Sequence, residues 1–147
     1  MLAFVRFLHV LSMATWLGAA LWLAGDARRC LAAGPDAARS FFHRALTSLR
    51  VDRLAGLATI VTGGALISLA GVWPALPPSL IVGMALGVAR AGLTDAALLP
   101  AVRKLAARLE TGEAPGALLP GAGRLAMLSG IGHLVWLGAL AGMIAAT

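Results

Sequence analysis

Long apolar runs alternate with short polar breaks along this chain. Four runs stand out, at residues 2–24, 53–72, 79–99 and 124–146. Each holds about 20 residues, enough to cross a ~30 Å hydrocarbon core as a helix. Between the first two runs the pattern changes. Gly34-Pro35-Asp36 carries helix start signals. Beyond it Phe41, Phe42, Ala45, Leu46 and Leu49 share one helical stripe, while Arg39, His43, Arg44, Thr47 and Arg50 fall elsewhere. Residues 36–50 therefore read as an amphipathic helix, lying on the membrane surface or extending the second span. Trp73-Pro74-Ala75-Leu76-Pro77-Pro78 is a rigid, uncharged turn. Pro100 either kinks the third helix or starts a further helical piece through Glu110, and the Gly- and Pro-rich residues 111–123 form a loop.

Composition agrees with this pattern. Charged residues make up 12% of the chain, against about 25% in an ordinary soluble domain. The expectation is one transmembrane domain over residues 1–147, an all-α, integral membrane, antiparallel four-helix bundle with short links. The first run does not read as a signal peptide, because only Arg6 precedes its core and no small-residue cleavage site follows. Cys30 is the only cysteine and sits in no lipobox. One cysteine permits neither an internal disulfide nor a cysteine-cluster metal site.

The arginines give the orientation. The first connection holds Arg28, Arg29, Arg39, Arg44, Arg50 and Arg53; the third holds Arg103, Lys104, Arg108 and Arg124; the second holds none. Lys and Arg accumulate on the cytoplasmic side, which places both termini on the outer, periplasmic side of a bacterial inner membrane. The net charge of +6 is thereby assigned to topology and anionic headgroups, and no nucleic-acid partner is expected. The lipid bilayer is the expected partner. Gly83, Gly87 and Ala91 on the third run, and Gly138 and Gly142 on the fourth, form small-residue stripes. They predict close helix contacts within the bundle, in a homodimer or with a partner membrane subunit.

Chemistry is sparse. His9, Ser12, Met13 and Trp16 share a face of the first helix, and Ser129, His133 and Trp136 share a face of the fourth. An imidazole can ligate haem iron or another metal. If the two faces meet, His9 and His133 are candidate metal ligands for a b-type haem, with Trp16 and Trp136 packing on it. Counted from the outer helix ends, His9 lies roughly 10 Å deep and His133 roughly 20 Å deep. That mismatch strains a bis-histidine arrangement, and one histidine with Met13, water or an open site opposite is an equal alternative. Structural roles compete: hydrogen bonds from His133 to Thr59, Thr62 or Ser129, packing for Trp16 and Trp136, interfacial anchoring for Trp22 and Trp73, and a solvated surface for His43.

Arg90 lies about eleven residues into the third run, near mid-membrane by count. A charge at that depth costs roughly 2.5 kcal/mol or more and calls for a partner. Asp95, five residues on, is off its helical face. The remaining partners are a cofactor carboxylate such as a porphyrin propionate, a water-filled cavity or a neighbouring helix. Arg50 and Arg53, with Asp52 between them, read as interfacial anchors. No catalytic triad, phosphate loop, carboxylate pair or zinc spacing is present.

The segment Phe7-Leu8-His9-Val10-Leu11-Ser12-Met13-Ala14-Thr15-Trp16-Leu17-Gly18 resembles the first helix of a group of small bacterial membrane proteins. These show a Leu-His pair, a following Trp-x-Gly and then basic residues. The group includes CopD-like copper-resistance proteins and HemJ-type, haem-binding protoporphyrinogen oxidases. The resemblance continues through residues 44–53 to Thr62-Gly63-Gly64 and covers about half the chain. It implies a four-helix scaffold, haem b, and His9 as the first-helix histidine. At the third helix this chain has Gly83 and Arg90 where the HemJ type carries Lys and His. Three functions are therefore in view: a haem-binding, redox-associated protein working in porphyrinogen oxidation or electron transfer; a non-enzymatic accessory subunit of a membrane complex; and a copper or other metal passage protein.

Overall fold

A computed structural model describes residues 1–146. It is all-helical, with no strand among the described residues. The helices are α1 (Leu2–Ala19), α2 (Leu23–Ala33), α3 (Pro35–Ala70), α4 (Pro78–Leu93), α5 (Leu99–Glu110) and α6 (Leu119–Ile144). They group into four spans long and apolar enough to cross a membrane: Leu2–Ala33, Pro35–Ala70, Pro78–Glu110 and Pro115–Ile144. The third has 33 residues, about 50 Å of helix against a ~30 Å hydrocarbon core. The bundle is thus longer than a bilayer is thick, and the sequence pattern underestimated each helix at its basic end.

The amphipathic segment is the clearest case. It continues without a break into the second span as α3, so the extension is realised and no separate surface helix forms. The apolar stripe explains why. Phe41, Phe42, Ala45 and Leu49 are buried with Leu23, Ala27 and Leu31 of α2, Val102, Leu105 and Leu109 of α5, and Ala122 and Leu125 of α6. These helix extensions bury their stripes against one another, as amphipathic helices of a globular domain do. The basic residues lie on the outside of this end.

Two irregularities shape the bundle. The first span breaks between Ala19 and Leu23. Carbonyls freed at such a break need new donors; the Ser48 hydroxyl donates to Ala19 O, and that of Ser129 to Ala20 O at 3.3 Å. In the third span, residues Thr94–Leu98 form a π turn between α4 and α5. Pro100, which has no N–H to give, sits just beyond it as the second residue of α5. The further helical piece through Glu110 is therefore present.

At the other end, where Leu2 and Ala146 line one cavity, packing is uneven. α1 packs mainly on α3, and α4 on α6. The small-residue stripes act within the chain there: a Cβ on Gly142 would lie 2.7 Å from Ser79 O, and one on Gly83 2.9 Å from Ala139 O. Only glycine permits that backbone approach. Contact between α3 and α4 is sparse by comparison. Large apolar side chains, among them Phe4, Phe7, Leu54, Leu57, Val82 and Leu134, stay exposed around the spans, as a lipid-facing belt requires.

Candidate functional site

The sparse seam between α3 and α4 opens into two cavities. One starts at the terminal end and has a volume of about 440 Å³. It runs from Leu2, Arg6, Val72 and Met143 down to Trp16, Thr59, Gly87 and Trp136, and His9, Met13 and Met84 also line it. Its volume is that of a small-molecule site, and its walls are nearly all apolar. Four residues singled out from the sequence therefore meet at one cavity: His9, Met13, Trp16 and Trp136.

His9 is held in a defined way. Its Nδ1 lies 2.9 Å from Thr62 Oγ1. The Thr62 hydroxyl lies 2.6 Å from Ala58 O and 3.2 Å from Thr59 O, so its own proton goes to a carbonyl. Thr62 must then accept from His9 Nδ1–H, which in the neutral ring leaves a lone pair on Nε2. Gly63 clears the space: a Cβ there would come within 3.2 Å of His9 Cε1.

His133 is not brought to this cavity. Its Nδ1 donates to the backbone Ser129 O at 2.6 Å within α6, not across helices, while its Nε2 is buried without a partner among the described residues. Neither does Arg90 line the cavity. It is 3% exposed and paired with Asp52, itself 1% exposed: Nη2 lies 2.8 Å from Oδ1 and Nη1 3.3 Å from Oδ2. Thr94 completes the cluster. Its hydroxyl donates to Asp52 Oδ2 at 2.9 Å and accepts from Arg90 Nη1. The guanidinium also stands 5.6 Å over the Trp16 ring. A porphyrin propionate is therefore not the partner of Arg90; a carboxylate of its own chain is.

Asp52 had looked like an interfacial residue because it sits among arginines. The available signal was complementarity, an Asp-Arg pair on one helix and an Arg followed by an Asp on another. The structure uses both halves of it. Arg53 Nε lies 2.6 Å from Asp95 Oδ1, with both side chains about half exposed (50% and 51%). These two ion pairs join α3 to α4 where direct helix contact is sparse. The π turn sets Thr94 and Asp95 so that both reach α3. A second cavity of about 500 Å³ opens beside them, lined by Arg50, Asp52, Arg53, Leu57, Thr94 and Asp95. Trp16 and Ile60 line both cavities. A Cβ on Gly56 would lie 2.9 Å from the Trp16 indole, so the glycine lets that ring approach α3 closely.

Of the remaining residues, His43 is exposed, as expected. Trp22 donates to Ser48 at 3.3 Å and carries Arg44 over its ring, and Trp73 donates to Ser68 at 3.0 Å. No group of three or more His, Cys, Asp or Glu that could hold a bare metal ion exists among the described residues. Haem makes no such demand, since the protein supplies only axial ligands to its iron. Comparison with known protein families, with curated proteins and with solved structures returns no match.

Proposed function

We propose that the chain is a multi-pass inner-membrane protein, an antiparallel four-helix bundle with both termini outside, whose terminal-end cavity binds b-type haem through His9 for redox work. Orientation rests on the arginines, which gather at the end opposite the termini. The observation that carries the haem reading is His9. Its Nδ1 is tied to Thr62, which leaves the Nε2 lone pair unused, and its side chain lines an apolar cavity. A ligating histidine whose second nitrogen is fixed by a hydrogen bond has a set tautomer and ring orientation.

The residues present fit the group. The cavity is apolar and Gly63 leaves the imidazole room. Trp16 and Trp136 offer flat walls, while Met13 and Met84 line it as adaptable thioethers. Haem, when bound, supplies one-electron chemistry, with porphyrinogen oxidation and electron transfer to a quinone as the reactions that suit a membrane cavity. The chain's residues bind and orient the group and keep water from it. His133 lies outside this arrangement.

The test is a reduced-minus-oxidised absorption spectrum of the purified protein, expressed with haem precursor supplied. Soret and α bands are expected, lost in His9→Ala and retained in His133→Ala. A folded but colourless wild-type protein overturns the reading.

A further inference from the structure

Arg6 runs against the charge pattern of the whole chain. The other eleven of the twelve Lys and Arg residues lie toward the basic end or, like Arg90, in the ion pairs. Arg6 alone lies toward the terminal end, about 6 Å in from the start of α1. None of the six Asp and Glu residues, at positions 26, 36, 52, 95, 110 and 113, is at that end. Arg6 makes no hydrogen bond or ion pair among the described residues. Yet it lines the apolar cavity. Positions 6, 9, 13 and 16 follow one helical stripe, and all four line that cavity. Arg6 stands one turn above His9, about 5 Å along the axis toward the mouth.

We propose that Arg6 holds the carboxylate of an amphiphilic ligand whose flat apolar body fills the cavity. This deepens the haem reading and rests on it for the location of the site. Three facts combine. A guanidinium is the preferred partner for a carboxylate, which it can hold through two parallel N–H donors. Arg6 is exposed and lines the cavity, with no Asp or Glu at that end among the described residues to neutralise it. Arg90, the buried arginine of the third span, is already neutralised by Asp52. The ligand class that follows is a planar apolar acid. Its acid edge sits at the cavity mouth and its ring lies deeper, beside His9 and toward Trp16 and Trp136.

Metal-free protoporphyrin IX tests this without calling on His9, since it has carboxylates but no iron. Its binding, and that of its dimethyl ester, is read by quenching of tryptophan fluorescence in the detergent-purified full chain. We expect the wild type to bind the acid roughly tenfold more tightly than the ester. Arg6→Gln is expected to abolish that preference, Arg6→Lys to restore part of it, and His133→Ala, outside the cavity, to leave it intact. Equal binding of acid and ester by the wild type, or a preference that survives in Arg6→Gln, overturns the proposal. So does displacement of the acid by phosphatidylglycerol but not by phosphatidylcholine, which assigns Arg6 to a net-anionic lipid headgroup. Failure of haem ligation appears separately, as missing absorption bands with the acid-over-ester preference unchanged.

Discussion

Asp52→Asn isolates the buried ion pair. The substitution keeps the side-chain volume and removes the charge, so Arg90 stays 3% exposed with no counter-charge. Two guanidinium contacts and the Thr94 hydrogen bond then end on a neutral amide. Removing one partner of a buried pair costs about 3–5 kcal/mol, because the other charge is left unpaired. The neighbours that remain, Thr94 and the Trp16 ring, cannot neutralise it. Replacing both partners by leucine behaves differently, since no charge is stranded; that double variant lies within about 2 kcal/mol of wild type. Equilibrium unfolding in mixed micelles, followed by tryptophan fluorescence, measures each variant. Like Asp52→Asn, the singles Asp52→Leu and Arg90→Leu are expected to be far less stable than the double-leucine variant, with a coupling energy of about 2 kcal/mol or more across that cycle. Single variants within about 1 kcal/mol of wild type would show that the pair does not hold α3 to α4, and the account of the seam would fail.

Other expectations follow from the same contacts. Arg53→Gln removes a half-exposed pair and costs about 0–1 kcal/mol, far less than Asp52→Asn, in the same unfolding assay. Gly142→Ala forces a Cβ to within 2.7 Å of Ser79 O, a backbone atom that cannot turn aside, and costs about 1–3 kcal/mol. Gly64→Ala, where a Cβ meets nothing within 4 Å, is the control and is expected to be neutral or slightly stabilising. In the polar loop, the hydrogen bond from Arg108 holds the Glu113 carboxyl below the ordinary glutamate range. Its stabilising effect is present above that range and is lost as pH falls through the lowered value. Titration of Glu113 by NMR should show the depressed midpoint, and Arg108→Gln should return it upward.

Helical spans were legible because their physics is local. Twenty apolar residues in a row need a nonpolar surrounding, and a backbone in lipid must satisfy its own hydrogen bonds. That fixed the class, the four spans, the uncharged turn at residues 73–78 and the face shared by His9, Met13 and Trp16. Lys and Arg placement supplied an orientation by the same kind of one-dimensional reasoning. The amphipathic stripe at residues 36–50 was also visible, but whether it would lie on a membrane or extend a helix depended on what it would pack against. Only the tertiary structure brings α2, α5 and α6 to that stripe, and burial among them makes α3 continuous.

The site divides along the same line. Periodicity identified His9 and Trp16 on one helix and His133 and Trp136 on another, but it carries no information on how two helices rotate against each other. In the fold Trp136 turns to the cavity and His133, three residues earlier, does not. Arg90 demanded a partner by energetics alone, and a local search reached only Asp95. Its partner is 38 positions away on α3, while Asp95 goes to Arg53. Pairing over that range is a property of helix packing and of the π turn that re-aims residues 94 and 95. Sequence alone determined what must be buried and what must be paired; tertiary structure decided which residue meets which, because that choice depends on rotation and register between helices.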